Sequence, residues 1–147
     1  MKIIPLYSSL DFYLPDQRIR LKLPLYDNGI SAGFPSPADD FLDTSIDLNK
    51  ELIKNKSTTF FARVKGSSMV GAGIDDGDLL IIDKSIKPKS NDIAVCFIDG
   101  DFTVKRIDIT KDIIWLVAEN KKYKPIKVTS DNDFTIWGIV INVIKYV

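Results

Sequence analysis

The chain has 147 residues, 45% apolar and 27% charged, which suits one soluble domain with a real hydrophobic core. Its formal net charge is zero, which argues against nonspecific nucleic-acid binding, because neutralising phosphates needs clustered Lys and Arg. It has no histidine and one cysteine, so Ser-His-Asp and Cys-His nucleophiles, an internal disulfide and a multi-cysteine zinc site are all excluded.

The start, Met1-Lys2-Ile3-Ile4-Pro5-Leu6-Tyr7, is apolar only briefly before Ser8, Ser9 and Asp11. That is too short for a signal-peptide core or a membrane span, so the expectation is a cytoplasmic protein with no membrane association. Residues 1–32 carry Pro5, Pro15 and Pro24 and leave no room for helices of normal length. They read as an extended arm with short strand-like pieces such as Ile19-Arg20-Leu21-Lys22-Leu23. A helix-turn-helix does not fit there, and no direct sequence-specific DNA binding is expected.

Residues 28–37 are rich in turn formers and small side chains and read as an exposed linker, where proteolysis concentrates. Ser36 and Pro37 then read as an N-cap and first helical residue, with Asp39 and Asp40 in the first turn, predicting a helix over 37–43. A second helix is expected over 47–54, capped by Asp47, with Leu48, Leu52 and Ile53 facing inward.

From residue 58 the pattern is β. Strands are expected over 59–64, 79–83, 92–98, 102–109, 113–118, 126–129 and 134–146. Asp99-Gly100 between two alternating apolar runs predicts a two-residue hairpin. The fold class is mostly β, with one or two short helices near the start.

Several features have plain structural readings. Cys96, inside Ala94-Val95-Cys96-Phe97-Ile98, reads as a small core hydrophobe. Asp75, Asp76 and Asp78 lack calcium-loop spacing and read as a turn, so no metal is expected. Lys121-Lys122-Tyr123-Lys124 reads as a solvated loop. The run 136–143 is apolar at nearly every position, which suits either a strand buried on both faces or a dimer interface.

The chemistry centres on Ser68, in Gly66-Ser67-Ser68-Met69, and Lys105, in Phe102-Thr103-Val104-Lys105. A serine hydroxyl needs a base, and a chain without imidazole can use a neutral lysine. Lysine titrates near about 10.4 in water, and bringing it to about 7 by burial costs roughly 4–5 kcal/mol. A β core can hold a residue in that state. Taken alone, a serine before methionine is a turn residue and a strand lysine is a solvated one. Glycines 66, 71 and 73 around Ser68 permit close approach of a substrate backbone, and the N–H groups of Ser67 and Ser68 can face a developing oxyanion.

Three runs together carry a resemblance. They are Ala32-Gly33-Phe34-Pro35-Ser36-Pro37-Ala38; Gly66-Ser67-Ser68-Met69 followed by Gly73-Ile74-Asp75-Asp76-Gly77-Asp78-Leu79-Leu80-Ile81-Ile82-Asp83; and Asp99-Gly100-Asp101-Phe102-Thr103-Val104-Lys105. From about residue 30 to the end the chain resembles the LexA/UmuD family of self-cleaving serine peptidases, its UmuD-like members above all. The spacings agree: 35 residues separate Gly33 from Ser68 and 37 separate Ser68 from Lys105. Gly71 departs from the polar or acidic residue that relatives often carry there.

The resemblance implies a β-rich peptidase fold with Ser68 as nucleophile and Lys105 as its base. It implies cleavage of the Ala32-Gly33 bond, separating an arm (1–32) from a catalytic and dimerisation domain (33–147). It implies no cofactor, a homodimer, an activating RecA filament on single-stranded DNA during the SOS response, and a UmuC-type Y-family DNA polymerase as partner of the trimmed form. Repressors of this family carry a DNA-binding domain ahead of the bond, and the 32 residues here favour the UmuD-like members over a repressor. The rival reading is a non-enzymatic dimeric polymerase-binding module or repressor-like regulator. A signal peptidase would share the serine-lysine logic but needs a membrane anchor.

Overall fold

The computed structural model describes residues 10–15, 22–25 and 44–147. The chain divides into two units, Met1–Pro15 with Asn55–Val147, and Asp16–Lys54. Ala32, Gly33 and the helix expected over 37–43 lie outside the described residues.

In the smaller unit, β2 (Lys22–Leu25) pairs antiparallel with β3 (Thr44–Asp47), and α1 (Leu48–Leu52) follows. Asp47 caps α1 as its residue type predicts, its side chain accepting from Asn49 N–H at 3.1 Å. The helix is one turn shorter than expected. Ile53 is buried, but Leu48 is 40% exposed and does not face inward, because a helix of five residues has too little length to present a full apolar stripe.

The larger unit is an eight-stranded antiparallel sheet. Its strands are β1 (Leu10–Tyr13), β4 (Thr59–Val64), β5 (Leu79–Asp83), β6 (Ile93–Ile98), β7 (Asp101–Thr110), β8 (Ile113–Val117), β9 (Ile126–Lys127) and β10 (Phe134–Ile144), in the order β1-β4-β5-β10-β6-β7-β8-β9. The expected strands from residue 59 onward are all present within two residues at each end. Asp99 and Gly100 join β6 to β7 with φ of 48° and 94°, the left-handed pair that a tight hairpin requires.

The sheet curls on itself. In a flat sheet β1 and β7 would lie five strand spacings apart, roughly 24 Å. Instead the rings of Phe12 on β1 and Phe102 on β7 meet edge to face at 5.0 Å, with Trp137 of β10 at 4.7 Å from Phe12. The inner core includes Leu10, Phe12, Ala62, Val64, Met69, Ile74, Leu80, Ile82, Val95 and Val104. Ala94, Cys96, Ile107, Leu116 and Ile139 form a second cluster on the opposite face, as the alternation along β6 requires.

β10 runs between β5 and β6, so its apolar run serves both clusters: Trp137 and Val140 pack on one, Ile136 and Ile139 on the other. Ile136 and Ile139 are an odd number of residues apart and still share a face, because a β-bulge between Ile136 and Gly138 absorbs the extra residue.

β1 is the element that the sequence pattern left unspecified. Within the expected arm, Leu10 and Phe12 are 2% and 0% exposed and belong to the inner core.

Candidate active site

β4 ends at Val64, and Gly66, with φ of 101°, turns the chain out of the strand. Its N–H donates to Asp76 Oδ1 at 2.8 Å. Val70–Ala72 forms one 3-10 turn, and Gly73 closes it at φ 78°. Met69, 2% exposed, anchors this loop in the inner core and leaves the adjacent Ser68 at the rim.

The loop is tied to the segment after β8. Gly71 N–H donates to Glu119 O at 2.7 Å, and Asn120 Nδ2 donates to Ser67 O at 2.9 Å. Glu119 is held in turn by Arg106 Nε, at 2.6 Å. Arg106 follows Lys105 directly, so one short network braces the strand that carries the lysine against the loop that carries the serine.

Lys105 lies in the middle of β7, opposite Ala94 of β6. By strand alternation it shares a face with Thr103 and Ile107, and the small Ala94 side chain leaves room for its stem. It is 8% exposed. Its Nζ lies 3.1 Å from Ser68 Oγ, 2.7 Å from Thr103 Oγ1 and 3.1 Å from Val104 O. Among the described residues no carboxylate forms an ion pair with it. Burial pushes the Lys105 pKa below its ordinary value, opposed by nearby Cys96. Burial also pushes the Cys96 thiol up to about 12, so at neutral pH Cys96 is uncharged and does little to hold a proton on the lysine.

This hydrogen-bond set fits an uncharged amine. A neutral –NH₂ has two N–H donors and one lone pair. Val104 O can only accept and Thr103 Oγ1 can accept, which uses both donors. In the ammonium state the third N–H donates to Ser68 Oγ, whereas in the neutral state the lone pair is left to accept from the Ser68 hydroxyl. The arrangement can therefore draw the hydroxyl proton toward nitrogen.

Beside the pair is a cavity of about 200 Å³, lined also by Leu10, Val64, Met69, Ile74 and Tyr123. The N–H groups of Ser67 and Ser68 have no acceptor among the described residues.

Ser68 and Lys105, 37 positions apart in the chain, are thus brought together. The sequence reading passed over Thr103, although its place two residues before a strand lysine puts it on the same face. It also passed over Glu119, Asn120 and Leu10, whose part in the site arises from distant chain contacts with no local signal. Asp75, Asp76 and Asp78 form a turn: Asp78 Oδ2 accepts from Asp75 N–H at 2.8 Å and from Lys145 Nζ at 2.7 Å. Among the described residues no group of acidic, histidine or cysteine side chains is placed to hold a metal ion, and no helix is long and apolar enough to cross a membrane.

Known proteins similar to this chain identify its family. The model of the family described as Peptidase S24-like matches residues 24–141, beginning upstream of the point near residue 30 where the resemblance starts in the motifs. The chain is 38% identical over 122 residues to Protein ImpA of Escherichia coli, covering 82% of each chain. It is 38% identical over 127 residues to Protein SamA of Salmonella typhimurium, covering 86% of this chain and 88% of the relative. It is 35% identical over 141 residues to the LexA repressor of Stenotrophomonas maltophilia, covering 96% of this chain and 65% of the repressor. A curled antiparallel sheet, a serine-lysine pair at its rim and a family match over most of the length lead to one conclusion: the chain belongs to the Peptidase S24-like family, the self-cleaving serine peptidases of the LexA/UmuD kind.

Proposed function

We propose that the chain cleaves its own Ala32-Gly33 bond and that the trimmed form, residues 33–147, works as the accessory subunit of an error-prone translesion DNA polymerase of the UmuC type. The observation that carries the first half is the buried amine of Lys105, 3.1 Å from Ser68 Oγ with no carboxylate partner among the described residues. Ser68 Oγ attacks the carbonyl carbon of Ala32 as its proton passes to Lys105 Nζ. The carbonyl oxygen becomes an oxyanion facing the N–H groups of Ser67 and Ser68. The C–N bond then breaks, and Lys105 gives its proton to the Gly33 nitrogen. Water attacks the acyl-serine with Lys105 again as base, the C–Oγ bond breaks as Lys105 passes that proton to Ser68 Oγ, and Ala32 leaves as a free acid that ionises to the carboxylate. Alanine and glycine flank the bond, and their small side chains let the backbone seat closely against Ser68.

Cleavage is slow when the docked pose of the scissile segment is a minor state, and an activator acts by stabilising that pose. The RecA filament on single-stranded DNA fills this role in the reading, within the cytoplasm and on a homodimer. The polymerase half is supported by similarity to UmuD-like relatives of matching length.

Mass spectrometry after alkaline incubation tests the activity and the bond together. A fragment beginning at Gly33 is expected from the native chain and not from Ser68→Ala or Lys105→Ala. A new terminus elsewhere, or the same fragment from either variant, refutes the assignment.

A further inference from the structure

Among the described residues of the segment that this cleavage would detach, Phe12 is the most deeply buried, at 0% exposure. β1 pairs along one side of β4, Leu10 opposite Val64 and Phe12 opposite Ala62, and is the terminal strand of the sheet. Phe12 seats its ring against Phe102 and Trp137. Leu10, also buried, forms part of the wall of the cavity beside Ser68. Between them Asp11 pairs with Lys65, Oδ2 to Nζ at 3.1 Å. A cut after residue 32 removes the only covalent tie between β1 and the sheet. A tethered strand is held at an effective concentration on the order of millimolar, and that advantage disappears when the tether is broken. The free fragment keeps four residue pairs from β1 to β4 and four from β2 to β3, and at micromolar protein these hold it by affinity alone.

We infer that cleavage vacates a strand-acceptor groove along β4, and that this groove takes an extended segment of a partner protein with the pattern apolar–acidic–aromatic. The inference rests on the self-cleavage reading for how the groove is emptied. Its occupant is defined by three features of the groove. The vacated side of β4 offers a row of backbone donors and acceptors, which an added strand satisfies. Two apolar seats lie two residues apart on the inner face, the deeper one walled by Phe102 and Trp137 and so suited to an aromatic ring. Lys65, the residue just past the end of β4, reaches the acidic position between the two seats and loses this carboxylate partner when β1 leaves. In the uncut chain the groove is filled by the chain's own arm, so partner binding and cleavage are linked through competition for one edge.

The test uses a peptide of residues 10–15, Leu-Asp-Phe-Tyr-Leu-Pro, labelled with fluorescein at its C-terminus and read by anisotropy. The native chain is self-cleaved at alkaline pH and passed over gel filtration, and uncut Ser68→Ala serves as its counterpart. The cut form is expected to bind at least tenfold more tightly than the uncut form. A peptide with Asp in place of Phe is expected to lose at least tenfold, and one with Lys in place of Asp at least threefold. Equal binding to cut and uncut forms, no binding to the cut form, or co-elution of the released fragment with the cut body would overturn the inference. Competition by excess uncut Ser68→Ala chain would make a second copy the occupant and overturn the partner assignment. The groove is also tested without cleavage, in uncut Ser68→Ala carrying Phe12→Ala, or Asp11→Lys where Phe12→Ala does not fold. Peptide binding by that variant supports the groove even if the native chain never cuts itself, and its absence refutes the groove independently of the peptidase reading.

Discussion

Lys105 Nζ donates to Thr103 Oγ1 at 2.7 Å, from two residues further along the same face of β7. The hydroxyl and Val104 O each accept a hydrogen bond from the amine, which orients its remaining site toward Ser68. A hydroxyl can accept without carrying charge, so this contact positions the amine without holding it protonated. Thr103→Val is expected to slow unaided cleavage at least tenfold while the cleavage site stays the same, measured as the rate of appearance of the Gly33 fragment. An unchanged rate removes Thr103 from the site.

The lowered pKa of Lys105 ties both rate and stability to pH. Unaided cleavage should accelerate as pH rises through the folded-state pKa, because only the neutral amine accepts the serine proton. For stability the sign follows from proton counts. Above its lowered folded pKa the native lysine has lost its proton, while the unfolded chain keeps it up to about 10.5. The unfolded state then binds more protons, so stability rises with pH across that window. In the Ser68→Ala background, thermal unfolding from pH 6 to 10 should show this rise relative to Lys105→Met. Parallel curves for the two proteins would contradict a buried, easily deprotonated amine.

Gly71 lets the nucleophile loop touch the chain after β8. A Cβ at this position would lie 2.7 Å from the backbone oxygen of Glu119, the acceptor of the Gly71 N–H bond. Backbone cannot swing aside as a side-chain tip can. Gly71→Ala is expected to cost about 1–3 kcal/mol in urea unfolding and to slow cleavage more than its stability loss explains. Native rate and stability in that variant would show that the loop tolerates a shift and that the close approach is incidental.

Asp83 is a buried acceptor hub. Burial by itself would raise its pKa, but hydrogen bonds from Ser85 Oγ at 2.7 Å, Ser85 N–H at 2.8 Å and Thr58 Oγ1 at 2.7 Å outweigh it, and the net shift is downward. A lowered folded pKa contributes stability that is present above the ordinary carboxylate value near 3.8 and lost as pH falls through the folded value. Asp83→Asn should cost about 1–3 kcal/mol at pH 7 and flatten the loss of stability below pH about 4. Denaturant titrations at pH 7 and pH 3 check both parts, and an undiminished acid loss in the variant would place the acid sensitivity elsewhere.

Gly138 sits at the bulge that keeps Ile136 and Ile139 on one face of β10. A Cβ there would lie 2.5 Å from Ile82 Cγ2 in the inner core. Gly138→Val is expected to lose about 1–3 kcal/mol by overpacking, seen as a lower denaturation midpoint. A midpoint equal to that of the native chain would mean that the core has slack at Ile82.

Strand identity from residue 59 onward was legible in local pattern alone, because period-two apolar alternation and turn residues such as Asp99-Gly100 act within a few positions. The candidate residues Ser68 and Lys105 were legible too, since the absence of histidine left few ways to activate a serine and the surrounding motifs carry a family resemblance. The order of the strands, the curl that joins β1 to β7 and the bulge at Gly138 were decided by tertiary packing. They depend on which apolar faces meet across the sheet, and alternation marks a face without naming its partner. The same reason hid β1: Leu10 and Phe12 look like scattered apolar residues ahead of Pro15, and only Ala62, Phe102 and Trp137 turn them into core. The lowered pKa of Lys105 likewise belongs to the folded molecule, because it arises from removal of water by groups far apart in the chain.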